Sequence, residues 1–443
     1  MEPHQLTALI VDDDMMIRMI HRKMLSNIGV RNQAVQNGKE AIDLHHSGKS
    51  FDLILMDKDM PVMNGVENLP EQLISEILLR LHVKTLISLK CVCKSWFSLI
   101  SNPEFGKLHF ALTAPHNHKH IVSVSVCDHG TKLGIHYVDL EGSLEESYVK
   151  FPSPFPSPPL PTNTYIHILD VCRGFILLGH SLNYTKPPVN FIVWNPSNGF
   201  HKMFSYYSIL SQQCNFRCRF EYVASRDEYF VIIAWIQILQ GGLFGVKCFE
   251  FLSMKTFSCL QVDATRLPYT KHQNWRQSDF AFVDGAIHWL ATSDNGQSIK
   301  SIVAFDFVER NVSEIPLPQD DFVNDPQVNS LRLEVIGGCL CLLNGPEKQP
   351  SFAEIWMLKK YKVESSWTKY NYVPAHVIPQ CSFTPKYFTK IGEIVGLNQK
   401  SNLVKVNDKG EQVYGYENHF FWEHDFHIYT ESLLSFPSGY VQA

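Results

Sequence analysis

Five aspartates near the start of this chain have the types and spacing to do chemistry together. Asp12, Asp13 and Asp14 follow the short apolar run Ala8-Leu9-Ile10-Val11. Asp57 closes a second run, Phe51-Asp52-Leu53-Ile54-Leu55-Met56, and Asp59 stands two residues on. Clustered carboxylates repel one another unless a hard cation such as magnesium lies between them. A carboxylate held on such a metal can in turn accept a phosphoryl group. The bland alternative is that these acids only cap strand ends.

The acids meet only if the elements before them are parallel neighbours. Ala8 to Val11 has the continuous apolar pattern of a strand buried on both faces. A helical stretch with Ile17, Ile20, Met24 and Ile28 at three-and-four spacing follows, closed by Gly29 where a left-handed cap is wanted. Ala34-Val35 suggests a second strand, Asn37-Gly38 a turn, Lys39 to His46 a second helix, and residues 51–56 a third strand. In an open parallel sheet, ligands bind at the carboxyl ends of the strands, where these acids stand.

The stretches "LTALIVDDD" and "DLILMDKDMPVMNG" resemble the receiver domain of two-component response regulators, most closely the type-C regulators of plants. The resemblance implies a flavodoxin-like α/β fold. Asp57 then stands at the phosphoacceptor position, Asp12 and Asp13 are the magnesium acids, and Asp59 completes the metal shell through its carbonyl. A histidine phosphotransfer protein would be the donor. A receiver also needs a fourth strand with Ser or Thr and a fifth with Lys, and no segment after Gly65 reads as either. A fragment of three strands leaves a sheet edge and an apolar face open. Phosphotransfer is therefore the minority expectation. Docking of the open face, pairing with another chain, or two genes joined at Val66-Glu67-Asn68 are the alternatives.

Leu69-Pro70-Glu71 opens a different pattern, a helix with proline in its first turn, where the missing N–H costs nothing. Leu73, Ile74, Ile77, Leu78 and Leu81 form one stripe, and Leu86, Leu89, Val92, Cys93, Trp96, Leu99 and Ile100 a second. Three short helices cannot bury so many large apolar groups among themselves, so part of that surface is expected to belong to a partner. "LPEQLISEILLRLHVKTLISLKCVCKSWFSLISNPEF" is similar to an F-box at nearly every informative position. That likeness implies a small all-α module binding the Skp adaptor, and through it the cullin, of a ubiquitin ligase. Leu69, Pro70, Ile74, Ile77, Leu78, Leu81, Leu86, Leu89, Val92, Cys93 and Trp96 would form the docking surface or its support. The competing reading is a plain helical-hairpin core.

From residue 111 onward, strand-like runs recur roughly every 55 residues, a spacing in the range of propeller blades. They are "HKHIVSVSV", "RGFILLGH", "DEYFVIIAW", "GAIHWLAT", "GGCLCLLN" and "GEIVGLNQ". Each is followed by a second strand and a polar turn, so two hairpins per period predict a four-stranded blade and six periods a closed β-propeller. "HDFHIYTESLLSF" is expected to supply closing strands. "VWNPSNG", "GAIHWLA", the "AFDF" to "EIPLP" stretch and "YTESLLSF" resemble the F-box-associated, kelch-like domain of plant F-box proteins. The expected organisation is a truncated receiver-like segment over 1–66, an F-box over 67–110, and the propeller over 111–443.

The bulk numbers agree with a globular multidomain protein: 443 residues, 45% hydrophobic, 19% charged. A formal charge of -5 excludes the global basic field of a dedicated nucleic-acid binder. The first thirty residues lack a secretory pattern, and Tyr229 to Leu239 is too short to span a bilayer, so a protein of the cytoplasm or nucleus is expected. The 11 cysteines show no paired framework, and Cys91-Val92-Cys93 and Cys339-Leu340-Cys341 read as structural thiols rather than zinc ligands. His116, His118 and His120 alternate without a carboxylate or thiol to complete a metal site. The proline-rich 151–164 reads as an exposed loop, either plain or contacting a target. Trp194, Trp289 and Trp356 read as blade core. No Ser-His-Asp order, paired carboxylates at a defined spacing or Gly-rich phosphate loop appears in the propeller region, so an adaptor that needs no cofactor is expected rather than an enzyme.

Three functions follow in order of expectation. The first is the substrate receptor of a Skp–cullin–F-box ligase with an unidentified protein target. The second is a phosphorelay protein with Asp57 as acceptor, and the third a propeller that assembles proteins outside any ligase.

Overall fold

The computed structural model describes residues 6–27, 29–57, 60, 71–115, 117, 119–127, 132–142, 144–152, 154, 165–181, 190–206, 215–238, 244–267, 271–272, 280–292, 299–318, 331–344, 353–372, 384–398, 402–407, 411–416 and 427–436. The chain divides into two compact units, Met1–His82 and Val83–Ala443. No helix among the described residues is long and apolar enough to cross a membrane.

In the first unit, β1 (Thr7–Val11), α1 (Met15–Asn27), β2 (Arg31–Val35), α2 (Gly38–His46) and β3 (Leu53–Met56) are followed by α3 (Glu71–Leu78). The three strands are parallel in the order β2-β1-β3, with Val11 opposite Val35 on one side and Met56 on the other. The central strand is the apolar one, and Leu9, Ile10 and Val11 are fully buried. Asn37-Gly38 is a helix start rather than a turn: the Asn37 side chain accepts a hydrogen bond from the Glu40 amide at 2.9 Å and caps α2. The apolar stripe of α1 is a second departure from the sequence reading. Leu25 packs against the sheet, whereas Ile17, Ile20 and Met24 face outward at 39%, 53% and 62% exposure. Leu53, Ile54 and Met56 of the edge strand β3 are exposed as well, so among the described residues the sheet shows the open edge and exposed apolar groups expected of a three-stranded fragment.

The second unit opens with α4 (Val83–Leu89), α5 (Lys94–Ser101) and α6 (Pro103–Thr113) and continues into a six-bladed propeller. Blade 1 comprises Tyr165–Cys172, Phe175–Ser181, Asn190–Trp194 and His201–Ser205. Blade 2 comprises Asn215–Val223, Glu228–Ile238, Phe244–Ser253 and Cys259–Asp263; blade 3, Ala281–Val283, Ala286–Thr292, Ile299–Asp306 and Asn311–Ile315. Blade 4 is Arg332–Ile336, Cys339–Asn344, Ala353–Leu358 and Trp367–Tyr372; blade 5 is Thr384–Phe388, Ile394–Leu397, Leu403–Val406 and Gln412–Tyr416. Blade 6 draws its first strand, His427–Tyr429, from the end of the chain and its other three, His120–Cys127, Lys132–Asp139 and Glu146–Pro152, from the start of the propeller. The closing strand pairs antiparallel with its neighbour, His427 opposite Val122.

Side chains alternate between the two faces of each strand, and each face meets the next blade. Ile121 therefore joins Val395, Leu397 and Leu403 of blade 5, while its neighbour Val122 joins Ile176, Ile192 and Trp194 of blade 1. Six apolar clusters of this kind fill the six interblade spaces. The first strands, which neighbour one another around the axis, are more polar. Two residues before the end of each stand Asp170, Glu221, Ala281, Glu334, Lys386 and His427. A β-bulge between Ile168 and Asp170 re-aims the Asp170 side chain. Its carboxylate accepts from the Phe220 amide at 2.8 Å and lies 3.5 Å from His427 Nδ1, which ties blade 1 to blades 2 and 6. Lys386 and Glu334 pair at 2.8 Å between blades 5 and 4.

After the closing strand, residues 430–436 run back over blade 1. Asn195, wholly buried, donates its amide to the carbonyls of Ser432 at 3.0 Å and Leu434 at 2.9 Å, and Asn198 donates to Leu433 at 3.1 Å. A Cβ on Gly174 would lie 2.2 Å from Ser432 Oγ, so only glycine fits beneath this segment. Removing the Asn195 amide takes a donor from the Ser432 carbonyl, while Leu434 O keeps the Asn198 amide at 2.9 Å, and Asn195→Ala is expected to cost about 2 kcal/mol in urea unfolding.

A second prediction concerns pH. Burial first, and then the neighbouring Asp170 charge, push the Glu221 carboxyl up to about 8. Its folded value lies above its unfolded one, so the folded state holds the extra proton and stability falls as pH rises from the ordinary carboxylate range through about 8. Asp170 has the opposite sign. Burial would raise it, but the His427 hydrogen bond, Arg219 and the Phe220 amide outweigh burial and hold it below its ordinary value. Its stabilisation is present above its unfolded value and is lost as pH falls through the folded one. Glu221→Gln should therefore match wild type in urea midpoint near pH 4 and exceed it near pH 9; equal midpoints at both would contradict the assignment.

Candidate functional site

The first candidate site is the acidic corner at the carboxyl ends of β1 and β3. The Asp57 amide donates to Val11 O at 2.7 Å and the Asp12 amide to Val35 O at 3.2 Å, so the two residues are held by the sheet itself. Asp12 is buried, Asp57 half-buried and Asp13 exposed, and one carboxylate oxygen from each falls within 4.8 Å of the others. Asp14 does something different: its side chain accepts from the Met16 amide at 2.7 Å and starts α1. The donor set of three hard carboxylate oxygens fits magnesium. Asp59 lies outside the described residues. Among the described residues no fourth strand borders β3, so no Ser, Thr or Lys from such a strand joins the corner.

The second candidate site is the helical segment. Leu69 and Pro70 lie outside the described residues. In the first unit, Ile74 and Leu78 are buried on α3, Ile77 is 55% exposed, and Leu81 is half-buried. In the second unit, Leu86 is fully buried beneath α4, and Leu89, Cys93 and Trp96 are half-buried. Cys93 caps α5, its sulfur accepting from the Trp96 amide at 3.5 Å. Val92 is 60% exposed just before α5. The nine described residues therefore divide into support, represented by Ile74, Leu78 and Leu86, and surface, represented by Ile77 and Val92.

Sequence reasoning missed Phe97, which is 55% exposed with the Lys90 ammonium 6.0 Å from its ring centroid. It also missed Leu108 and Leu112, each 56% exposed on α6. Phe97 stands four residues after Cys93 and three before Ile100, so it continues the second stripe, and that spacing on a large aromatic was the signal that could have marked it.

The propeller carries no comparable constellation among its described residues. Trp194, Trp289 and Trp356 are buried in interblade clusters. Cys341 is buried, its thiol pushed up to about 12 by burial, and Cys339 beside it is a free thiol. His288, fully buried, is tied to Tyr361 Oη at 2.7 Å and held down to about 4 by burial, which keeps it neutral. His116 and His118 lie outside the described residues, as does most of the proline-rich stretch. Phe151 and Pro152 of that stretch end the outermost strand of blade 6, the sheet position where proline is tolerated.

Three family models match the chain: "Response regulator receiver domain" over residues 8–76, "F-box domain" over 66–108, and "F-box associated beta propeller domain" over 122–436. F-box/kelch-repeat protein At3g23880 of Arabidopsis thaliana is 25% identical over 86% of this chain and 99% of its own length. F-box protein At4g22390 of the same plant is 25% identical over 69% of this chain and 74% of its own. Two-component response regulator 24, also from Arabidopsis thaliana, is 54% identical over 63 residues, 14% of this chain. This chain thus spans only 45% of that regulator's length, and the match falls on the truncated receiver segment. With the third model covering well over half of its residues, the chain belongs to the F-box associated β-propeller family and carries F-box and receiver segments ahead of the propeller.

Proposed function

We propose that this chain is the substrate-receptor subunit of a Skp–cullin–F-box ubiquitin ligase. The observation that carries the reading is the exposed apolar surface of Val92, just before α5, and Phe97, on α5, in a helical segment that folds into one compact unit with the propeller. The adaptor docks on the helices, and the propeller seats a protein target. Ubiquitin transfer then needs proximity from this chain rather than a catalytic group or a resident cofactor. The cytoplasm and nucleus, where such ligases work, are the compartments this reading implies.

The second reading rests on the acidic corner. Asp57 would accept a phosphoryl group from a histidine phosphotransfer protein while Asp12 and Asp13 hold magnesium. The three converging carboxylates favour it. The sheet ending at β3 weighs against it, because nothing described there would bind the phosphoryl oxygens. The third reading is a propeller that assembles proteins outside a ligase. A complex that contains the adaptor but lacks cullin would favour it.

Two experiments separate these readings. Val92→Asp and Phe97→Ala should each weaken capture by immobilised Skp adaptor by about tenfold or more, with unfolding unchanged because both side chains are exposed. Undiminished capture by both variants would remove the docking surface. Incubation with a phosphorylated histidine phosphotransfer protein and magnesium should leave no acid-labile label on the chain. A label that Asp57→Asn abolishes would instead establish the phosphorelay.

A further inference from the structure

Two side chains that grip α6 from the propeller stand in backbone conformations that L-residues avoid. Arg173 (φ 49°) and Gly174 (φ 82°) turn the chain between the first two strands of blade 1, and Asp227 (φ 46°) does so in blade 2. Tight turns with two positive φ values favour Asn or Asp before glycine, so arginine at the first position is unexpected on turn chemistry alone. The same left-handed conformation recurs in other turns, at Asp284, Arg310 and Lys362, so what sets Arg173 and Asp227 apart is what their side chains touch.

The guanidinium of Arg173 lies between two rings, 3.7 Å from the centroid of Tyr222 on blade 2 and 5.0 Å from that of Phe110 on α6. Tyr222 Oη donates to Asp227 Oδ1 at 2.7 Å, and Asp227 Oδ2 accepts from Lys107 of α6, also at 2.7 Å. Lys107 and Phe110 are three apart and share one face of the helix. Asp227 is held below its ordinary value by Lys107 first and then Tyr222, so the Lys107–Asp227 pair is ionised at neutral pH. The neighbouring stretch of α6 is fixed as well: a Cβ on Gly106 would lie 3.3 Å from Leu433 O of the returning segment. Just past the helix, Lys119 bonds Ala114 O at 2.7 Å and Thr430 Oγ1 at 2.9 Å.

We infer that Arg173 and Asp227 are positioning residues: they clamp α6 to blades 1 and 2 and so fix the helices before it, with Val92 and Phe97, in one orientation to the propeller. The inference rests on the substrate-receptor reading. Under that reading the clamp is a strut between the adaptor and the target seat, and it restricts which lysines near the propeller the charged enzyme can reach. A loose joint would leave adaptor binding intact and spread the modification over more lysines.

The test uses the full chain as wild type, as Arg173→Ala with Asp227→Ala, and as Arg173→Lys, which keeps a cation between the rings. Hydrogen exchange over residues 103–113 should quicken at least tenfold in the double variant and much less in Arg173→Lys, with the urea midpoint of the propeller unchanged. Unchanged exchange in the double variant overturns the clamp whatever the function proves to be. In a ligase reconstituted with Skp adaptor, cullin and RING subunit, the double variant should bind adaptor within twofold of wild type. Its self-ubiquitination, mapped by mass spectrometry, should spread over more propeller lysines. An identical lysine pattern at equal adaptor binding overturns the positioning role. Absence of adaptor binding by wild type instead defeats the substrate-receptor reading and leaves the exchange result to decide the clamp.

Discussion

The structure of the larger unit depends on one pairing, the three-residue strand His427–Tyr429 against His120–Cys127. Without it blade 6 would present an unpaired inner edge, and the ring would be an open fan of sheets with two apolar faces in water. Closure lets each interblade cluster be buried from both sides, and it places His427 beside Asp170, where the first, second and last blades meet. The segment after the strand could not reach Asn195, Asn198 and Gly106 unless the ring were closed first. The last residues of the chain therefore join the propeller to the helices that precede it.

Buried titratable groups in the propeller are spent on fastening: Asp170, Glu334 and Lys386 link blades, and His288 is neutral and tied to Tyr361. The described features that offer something to a partner are the exposed apolar side chains of the helices and the acids of the receiver segment. In that segment Asp12, Asp13 and Asp57 converge, and among the described residues no strand borders β3 on its far side.

Much of the architecture was legible because apolar periodicity reports burial directly. The second strand of each blade carries the most apolar run, and those runs gave the period and the count of six. The closing strand apart, the first strands were not picked out, because Asp170, Glu221, Glu334 and Lys386 interrupt the apolar pattern. In the receiver segment periodicity misled: Ile17, Ile20 and Met24 look like a buried stripe, but α1 packs through Leu25 and the elements that would cover its other face are not seen among the described residues. For the helical segment the apolar positions were plain, while their division into buried Leu86 and exposed Val92 and Phe97 was not. Residues 430–436, from the other end of the chain, reach these helices through Glu431, 3.5 Å from Lys84, and Leu433, beside Gly106 of α6. "YTESLLSF" was recognisable only by resemblance; its physical reason lies in the amides of Asn195 and Asn198 and in the space left by Gly174.

If, as we propose, this chain joins a ligase through its helices, the mass of the complex it forms reveals it. Purified full chain mixed with Skp adaptor and cullin at micromolar concentration should yield a single species with one copy of each, read by light scattering on a sizing column. The chain eluting alone while adaptor and cullin elute together would contradict the account.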